Sequence, residues 1–483
     1  MNGGRSKRPI SSGLGRGTMA KTSVKKSKLT ESDWISGLPD DLLRQILSKV
    51  STKESVSTSV MSKRWRNLWK HVPALDLDSS KFTDEWDLED FFDSFVESDE
   101  NLKMKRFKWI YNVEEHFHSA FVSRIDLVVN RGVCDFTLLS KVNTEEESVR
   151  MPLSLYSCAT LVNLTLYGVV FDAPLSELVS LPCLKTMHLE AVKFDGESIL
   201  EALISSCSVL DELIIVTHHD DFLGVVCVRS PSLRRFKLES MREEYEECED
   251  PDVEIDAPKL EYMSITDYQS ESFIIHNVSP CAKVNIDLVF DVEEDDDFMI
   301  HDFLTAISTV RELTISARTL EMIHEYSEME SVPQFSNLSC LHATFSESSW
   351  EMFPTFLGCC PNLHSLDLEF DYLPKKEKNN LSFVPQCFQS SLEFVQLKAP
   401  ITVTEIPSKM ELAIYFIRNS VVLKKLMLNE SFGEVMNKVR KIPKRASGCE
   451  VVMLKPACGD VSDGSSLLPM IYKDMFIPKV LDQ

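Results

Sequence analysis

Histidine pairs are the first residues in this sequence whose types and spacing could support metal or acid–base chemistry. They occur at His116-Phe117-His118 and at His218-His219. Neither pair has further ligands at the spacing of a metal site, so we interpret them as exposed loop or strand histidines. The pairs therefore give no support to a metal centre.

Motifs of the common catalytic classes are also absent. The sequence contains no phosphate loop of the types GxxxxGKS/T or GxGxxG, no GxSxG serine turn and no HExxH zinc helix. Only 15 glycines occur in 483 residues, which further disfavours loops that cradle phosphates. We therefore predict a non-catalytic protein with no catalytic residues, no metal site and no cofactor.

The charge of the chain argues against polyanionic partners. The formal net charge is −24, with 51 Lys and Arg against 75 Asp and Glu. Residues 1–30 hold eight of these cations and no acid, so the remainder carries 43 cations against 75 acids, a net charge of −32. A body of this charge repels nucleic acid.

Three local charge runs have two interpretations each. The acidic segments 242–256 and 291–298 are predicted to be solvated loops, and the alternative is a docking site for a basic target segment. A basic cluster near the end is interpreted as a salt-bridging surface rather than an anion site. It consists of Lys438, Arg440, Lys441, Lys444 and Arg445.

The compartment is suggested by the N-terminus and the cysteines. Residues 1–30 are rich in Gly, Ser, Lys and Arg, so we expect a disordered tail that acts either as a nuclear-import signal or as a solubilising segment. We expect no signal peptide and no membrane helix. The 13 scattered cysteines, with Cys158, Cys183, Cys207 and Cys227 in apolar patterns, indicate buried thiols in a reducing compartment. We expect the nucleus, the cytoplasm or both.

The stretch 34–77 is predicted to form three short helices. Pro39 suits a first helical position, and the acids that follow suit the positive end of a helix. Thr52 and Ser62 are the predicted caps of the second and third helices. Apolar side chains form one helical stripe in the first: Leu42, Leu43, Ile46, Leu47 and Val50. A unit this small either packs as a helical core or needs another surface to cover it.

The order of residues in LPDDLLRQILSKV (38–50) and VSTSVMSKRWRNLW (56–69) closely resembles the F-box, in particular that of large plant families. Ser51 stands where that family usually has Pro, and Ser can also end a helix. The resemblance implies binding to a Skp-type adaptor, although some of the apolar positions must form the unit's own core. The predicted adaptor contacts are Leu38, Pro39, Leu42, Ile46, Leu47, Val56, Val60, Trp65 and Leu68.

From Leu161 the chain repeats the unit LxxLxL, with a strand followed by helix-like spacing. Copies begin at Leu161, Leu184, Leu210, Leu233, Leu260, Val310, Leu363, Leu392 and Leu423, with a degenerate copy at Leu338 and another expected near Val284, Ile286 and Leu288. The segment MPLSLYSCATLVNLTLYGVVF (151–171) resembles the start of the irregular leucine-rich repeats of plant F-box proteins. An asparagine ladder is absent, because Val169, Val192 and His218 stand at its positions.

The C-terminal part resembles the FBD domain through VPQCFQSSLEFVQLKAP, MELAIYFIRNSVVLKKLMLNES and KIPKRASGCEVV. We predict strands at Leu392–Leu397, Leu423–Leu428 and Glu450–Leu454 and a helix at Glu411–Asn419 with Leu412, Tyr415 and Phe416 inward. Such a module could close the end of a repeat array.

The expected architecture is an α/β repeat fold, with an N-terminal three-helix F-box followed by an irregular leucine-rich-repeat solenoid and a C-terminal FBD module. Within the connecting segment we predict an acidic helix over 82–100, with Trp86, Phe91, Phe92 and Phe95 inward, and strands at Phe107–Tyr111 and Ile125–Val129. The expected boundaries are a basic tail at 1–30, the F-box at 34–77, a connecting α/β segment at 78–150, leucine-rich repeats at 151–383, FBD at 384–455 and an extension at 456–483.

The three resemblances together imply a substrate-receptor subunit of a Skp–cullin–F-box ubiquitin ligase. The F-box would bind the Skp-type adaptor and through it cullin and the RING subunit, while the repeats would recruit an unknown protein target. The alternative is a leucine-rich-repeat scaffold that acts independently of a ligase. We expect neither nucleic acid nor a membrane as a partner.

Overall fold

The computed structural model describes residues 35, 37–99, 101–111, 118–141, 149–172, 179–196, 198–218, 225–240, 252–268, 270, 272–289, 297–371, 373, 381–402 and 405–454. The tail predicted at 1–30, the extension at 456–483 and most of both acidic insertions lie outside these residues. His116 and His219 of the histidine pairs also lie outside them.

The described chain contains both α-helices and β-strands. The α-helices are α1 (Asp40–Leu47), α2 (Thr52–Ser57), α3 (Glu85–Glu97), α4 (His118–Asn130), α5 (Ile199–Ser205), α6 (Asp297–Ile307), α7 (Ala317–Met329), α8 (Phe353–Gly358), α9 (Cys387–Ser390), α10 (Ile406–Asn419) and α11 (Gly433–Val439). The strands are β1 (Ala74–Asp78), β2 (Arg106–Tyr111), β3 (Asp135–Ser140), β4 (Val149–Arg150), β5 (Asn163–Tyr167), β6 (Val169–Asp172), β7 (Thr186–Glu190), β8 (Lys193–Asp195), β9 (Glu212–Thr217), β10 (Val225–Arg229), β11 (Arg235–Ser240), β12 (Asp252–Ala257), β13 (Tyr262–Asp267), β14 (Ser272–Val278), β15 (Lys283–Leu288), β16 (Glu312–Ile315), β17 (Cys340–Phe345), β18 (Ser365–Phe370), β19 (Phe394–Lys398), β20 (Lys425–Leu428) and β21 (Glu450–Met453).

One parallel sheet of 15 strands runs through the described chain. Its order is β1-β2-β3-β5-β7-β9-β11-β13-β15 and then β16 to β21 in sequence. The leucine positions of neighbouring repeats are in register, as in Leu164, Met187 and Leu213, and these side chains are at most 1% exposed. The alternation predicted from LxxLxL is confirmed, including the copy near Val284, which forms β15.

A second layer covers the apolar face of this sheet. Helices α5 to α11 contribute to it, but two three-stranded parallel sheets, β4-β6-β8 and β10-β12-β14, take the place of helices in part of the chain. Strand β10 packs against α5 and β14 against α6. The loop predicted over 242–256 is therefore wrong for its last residues: Val253 and Ile255 are buried in β12, while Glu254 between them is half-buried.

The sheet begins earlier than the repeat pattern suggested. Strands β1, β2 and β3 belong to it, and the strand predicted at Phe107–Tyr111 is confirmed as β2. The strand predicted at Ile125–Val129 is wrong, because these residues lie in α4, where Ile125, Val128 and Val129 share the buried face at helical spacing.

Helix α3 confirms the acidic helix predicted over 82–100. Phe92 and Phe95 are buried as expected, and Phe91 packs partly buried against the core. The inward orientation of Trp86 is wrong, since this side chain is 67% exposed. Trp86 stands in the first turn of the helix, beside the capping residue Asp84.

The elements predicted for the C-terminal part are confirmed. Strands β19, β20 and β21 continue the large sheet, and α10 buries Leu412, Tyr415 and Phe416. Because β19 pairs directly with β18, the same hydrogen-bonded ladder crosses from the repeats into this region.

Thiol reactivity should follow burial. Among the described cysteines, Cys183 and Cys281 are exposed, so the expected burial of Cys183 is wrong. Burial raises the pKa of Cys227 and Cys387 to about 12. Maleimide at about pH 8 should therefore label the two exposed thiols first and leave Cys227 and Cys387 unmodified in the folded protein, as read by peptide mass spectrometry. Equal labelling of all four would contradict this burial.

Candidate functional site

The N-terminal helical unit, residues 37–73, is held together by short-range polar contacts. The Arg64 guanidinium forms an ion pair with Asp40 at 2.6 Å, which joins the third helical segment to the start of α1. Ser51 caps α2: its hydroxyl accepts from the Glu54 N–H, and the Glu54 carboxylate accepts from the Ser51 N–H at 2.9 Å. The hydrogen bonds that the Ser51 N–H and the Ser51 hydroxyl donate to the Glu54 carboxylate lower the pKa of Glu54.

Both predicted caps are wrong. Ser51, one residue earlier than expected, caps the second helix, so the residue that departs from the usual F-box Pro has a defined structural role. The hydroxyl of Thr52 accepts instead from the Asp76 N–H. The third segment is a 3-10 helix, Trp65–His71, without a side-chain cap, and Ser62 contributes its backbone carbonyl to the Trp65 N–H.

A small apolar core lies inside this unit. It contains three of the residues that the sequence assigned to partner contact: Leu47, Trp65 and Leu68 are between 3% and 6% exposed. Leu38 packs against the same core and is half-buried. The complete core is Leu43, Leu47, Trp65, Leu68, Val72 and Ala74.

Other apolar side chains of the unit are exposed to solvent. Leu42 and Ile46 stand one helical turn apart on α1 and are 44% and 49% exposed, while Val60 is 88% exposed. Pro39 is exposed and Val56 half-buried. We call the exposed set the outer apolar surface, and it comprises Leu42, Ile46, Val50, Val60 and Met61.

Sequence reasoning did not select Val50 and Met61 for partner contact. Val50 follows α1 and is 37% exposed, and Met61, directly after Val60, is 64% exposed. The apolar character of Met61 beside Val60 was the only available indication for it.

The unit is fastened to the large sheet. The Thr52 hydroxyl accepts from the backbone N–H of Asp76 in β1 at 2.7 Å, and Trp69 stacks on Phe91 of α3 with ring centroids 5.4 Å apart. His71 lies 3.4 Å from the Asp99 carboxylate. The outer apolar surface therefore has a fixed orientation relative to the strands that follow.

Thr52→Val should weaken this attachment. The change leaves the Asp76 N–H without its partner at a site that is mostly buried, which costs about 1–3 kcal/mol. We expect faster amide hydrogen exchange across 40–72 with little change in β5 to β20. Thr52→Ser retains the hydroxyl and is the control. Equal exchange in the two variants would contradict the role of this hydrogen bond.

The outward positions of the large sheet carry polar side chains, many of them paired across strands. Arg235 contacts Asp211 and Glu212 at 2.8 and 3.0 Å. His218 lies 3.4 Å from the buried carboxylate of Glu190, so it is half-buried rather than exposed as predicted. This face is a candidate for target contact, but no single residue on it stands out.

The described structure gives no ion pair for the basic cluster at 438–445, so the salt-bridging surface that we favoured stays a prediction. The described contacts of the cluster are to backbone carbonyls: Arg440 donates to Val451, Arg445 to Asn419 and Lys444 to Cys449. These three side chains therefore donate hydrogen bonds to backbone carbonyl groups near the last strand. Within the described ranges, no group of three or more His, Cys, Asp or Glu could hold a metal ion. No described helix has the length and apolar character to cross a bilayer.

Family models match three parts of the chain. The F-box domain matches residues 35–75, the LRR repeats of "FBD-associated F-box protein At5g56370" match 123–368, and FBD matches 379–428. The "F-box/FBD/LRR-repeat protein At1g80470" of Arabidopsis thaliana is 78% identical over 467 residues, which is 96% of this chain and all of the relative. The chain belongs to the F-box/FBD/LRR-repeat protein family.

Other members of this family are more distant over most of the length. The Arabidopsis thaliana "FBD-associated F-box protein At1g60410" is 53% identical over 84% of this chain and 99% of its own. The "F-box/FBD/LRR-repeat protein At2g26030" is 40% identical over 87% of this chain and 99% of its own. The F-box match includes the whole outer apolar surface, and the LRR and FBD matches divide a sheet that is continuous in the structure.

Proposed function

We propose that this F-box/FBD/LRR-repeat protein is a substrate-receptor subunit of a Skp–cullin–F-box ubiquitin ligase. The outer apolar surface on the F-box is the observation that carries the proposal. Five apolar side chains there, each at least 37% exposed, belong to a unit that already has its own core. Several exposed apolar groups within one small unit indicate a protein-contact site.

The proposed contacts with the Skp-type adaptor follow from this division. Leu42, Ile46 and Val60, together with Val50 and Met61, would enter the interface directly. Leu47, Trp65 and Leu68 would act by holding α1 and the 3-10 helix in place, because they are buried in the F-box core. Pro39 and Leu38 lie where α1 begins and would border the contact.

The chain would make no covalent bond in this reaction. The adaptor would join it to cullin and the RING subunit, while the repeat strands would hold a protein target. Holding the target's lysines near an activated ubiquitin raises their effective concentration, so the protein would contribute to catalysis by proximity. Action in the nucleus, the cytoplasm or both is part of this proposal.

The test is co-purification of the full chain with a Skp-type adaptor and cullin. Deleting 34–77 is unsuitable as a control, because it removes most of β1 and with it the end of the large sheet. The full-length Leu42→Asp/Ile46→Asp variant is the appropriate comparison. Recovery of adaptor and cullin with the unchanged chain, but not with this variant, supports the receptor role.

Two other outcomes point elsewhere. Adaptor recovery without cullin supports a leucine-rich-repeat scaffold that uses the F-box outside a ligase. If the unchanged chain recovers no adaptor, the proposal is contradicted. The repeats would then be studied as a binding surface by themselves.

A further inference from the structure

The charge of the F-box is opposite to that of the molecule. Residues 35–73 contain seven Lys and Arg against three Asp and Glu, a net charge of +4, in a chain with net charge −24. The F-box is therefore a positive region on a strongly negative protein. Such a region creates a local field that an acidic partner can follow to it.

The three acids of this region are already engaged. Asp40 pairs with Arg64 and Asp41 with Arg44, while Glu54 accepts hydrogen bonds from Ser51. The remaining exposed cations have no acidic partner among the described residues. These F-box cations are Lys49, Lys53, Lys63 and Arg66.

Three F-box cations lie close in the chain to the outer apolar surface. Lys49 immediately precedes Val50, and Lys63 follows Met61 by two residues. Arg66 is exposed on the 3-10 helix whose Trp65 and Leu68 face the F-box core. The apolar side chains are thus accompanied by cations without an acidic partner in the described structure, whereas the two carboxylates next to Leu42, those of Asp40 and Asp41, are paired with Arg64 and Arg44.

We propose that the surface of the adaptor that receives this F-box is acidic, with carboxylates placed against Lys63, Arg66 and Lys49. This inference rests on the proposed function. The apolar contacts supply affinity, while the charges raise the association rate and select the adaptor. An acidic adaptor is repelled by most of this molecule and attracted by the F-box, so the charge pattern also orients the encounter.

The test uses the full chain and a purified Skp-type adaptor, with association and dissociation rates measured at several salt concentrations. For Lys63→Glu/Arg66→Glu we expect association about tenfold slower at low salt, with the difference shrinking as salt screens the charges. Lys63→Gln/Arg66→Gln should lie between this variant and the unchanged chain.

The matched control reverses two exposed lysines on the repeats. Lys185→Glu/Lys259→Glu changes the net charge by the same amount, and both lysines are exposed without an ion pair in the described structure. Its association rate should stay within about twofold of the unchanged chain. Thermal unfolding of both double variants verifies that the fold is retained.

The outcomes separate the inference from the proposed function. Equal association rates for the two charge-reversed variants overturn the acidic-adaptor inference while adaptor binding itself stands. No binding by the unchanged chain removes the proposed function and the inference together. Self-association that Lys63→Glu/Arg66→Glu abolishes, without any adaptor effect, overturns the inference in favour of a second copy as the occupant.

Discussion

Replacing Leu42 and Ile46 together with aspartate is expected to raise the dissociation constant for a Skp-type adaptor at least about 100-fold. Both side chains are nearly half exposed on one side of α1, next to the buried Leu43 and Leu47. A carboxylate placed in an apolar interface loses its hydration without gaining a partner. Isothermal titration of the full-length variant with purified adaptor measures the effect.

Stability provides the first control for this prediction. Because the replaced side chains are exposed, the thermal unfolding midpoint should change little. Leu43→Asp is the contrasting change: it places a charge at a position that is 0% exposed and should unfold the F-box itself. A matched surface control is Ile274→Asp/Met329→Asp, which removes exposed apolar groups from the repeats. Equal adaptor affinity for this control and Leu42→Asp/Ile46→Asp would contradict the assigned surface.

Gly168→Ala is expected to destabilise the repeat region by about 2–5 kcal/mol. Gly168 directly follows β5 with φ +65°, and a Cβ atom there would collide with the backbone oxygen of Ser140. That oxygen belongs to the neighbouring strand β3, so relief requires the strands to separate. Urea or thermal unfolding of the full chain measures the loss.

A second glycine, Gly448, allows the cost of backbone strain to be measured without a steric conflict. Gly448 has φ +97°, yet nothing lies within 4 Å of its would-be Cβ. Gly448→Ala should therefore cost only the backbone strain, about 1–2 kcal/mol. Equal losses for the two substitutions would show that the contact with Ser140 contributes nothing.

The same turn recurs one repeat later with a different residue. Ala191 follows β7 as Gly168 follows β5, and it has φ 50°. Its N–H donates to the Val216 carbonyl at 3.0 Å, which holds the left-handed conformation. The position therefore demands this conformation in both repeats, but only Gly168 stands so close to the preceding strand that no Cβ fits.

Most of the large sheet could be predicted from the sequence because its signal is periodic. Each LxxLxL copy places apolar side chains on one face, and equal spacing aligns successive copies, so even the copy near Val284 could be inferred from a gap. The pairing of β15 with β13 and β16 follows from this alignment.

The second layer could not be predicted in the same way. Short apolar runs between repeat strands are compatible with a helix or a strand, and β10, β12 and β14 are strands. The segment Ile125–Val129 has the same ambiguity and belongs to α4. In each case the neighbouring repeat determines whether a helix or a strand forms, because a strand needs an adjacent strand with which to form backbone hydrogen bonds.

The division of the F-box residues into core and surface could also not be predicted from the sequence. Leu42 and Leu43 are adjacent apolar residues, as are Ile46 and Leu47, and their residue types do not indicate which member of each pair is buried. The structure buries the second of each pair because Trp65 and Leu68 approach α1 from that side. The position of the third segment depends in turn on Trp69 stacking against Phe91, a contact between distant parts of the chain.

Because the F-box continues directly into β1, the position of a strand in the large sheet sets its distance from the F-box. Fifteen strands have 14 intervals between them, and at about 4.8 Å each they measure about 67 Å along the sheet. A target held against β7 would lie about four intervals, or about 19 Å of sheet, from β1. One held against β18 would lie 11 intervals away, or about 53 Å. Moving a recognition site by one repeat would thus shift the target in steps of one strand while the adaptor contact stays fixed.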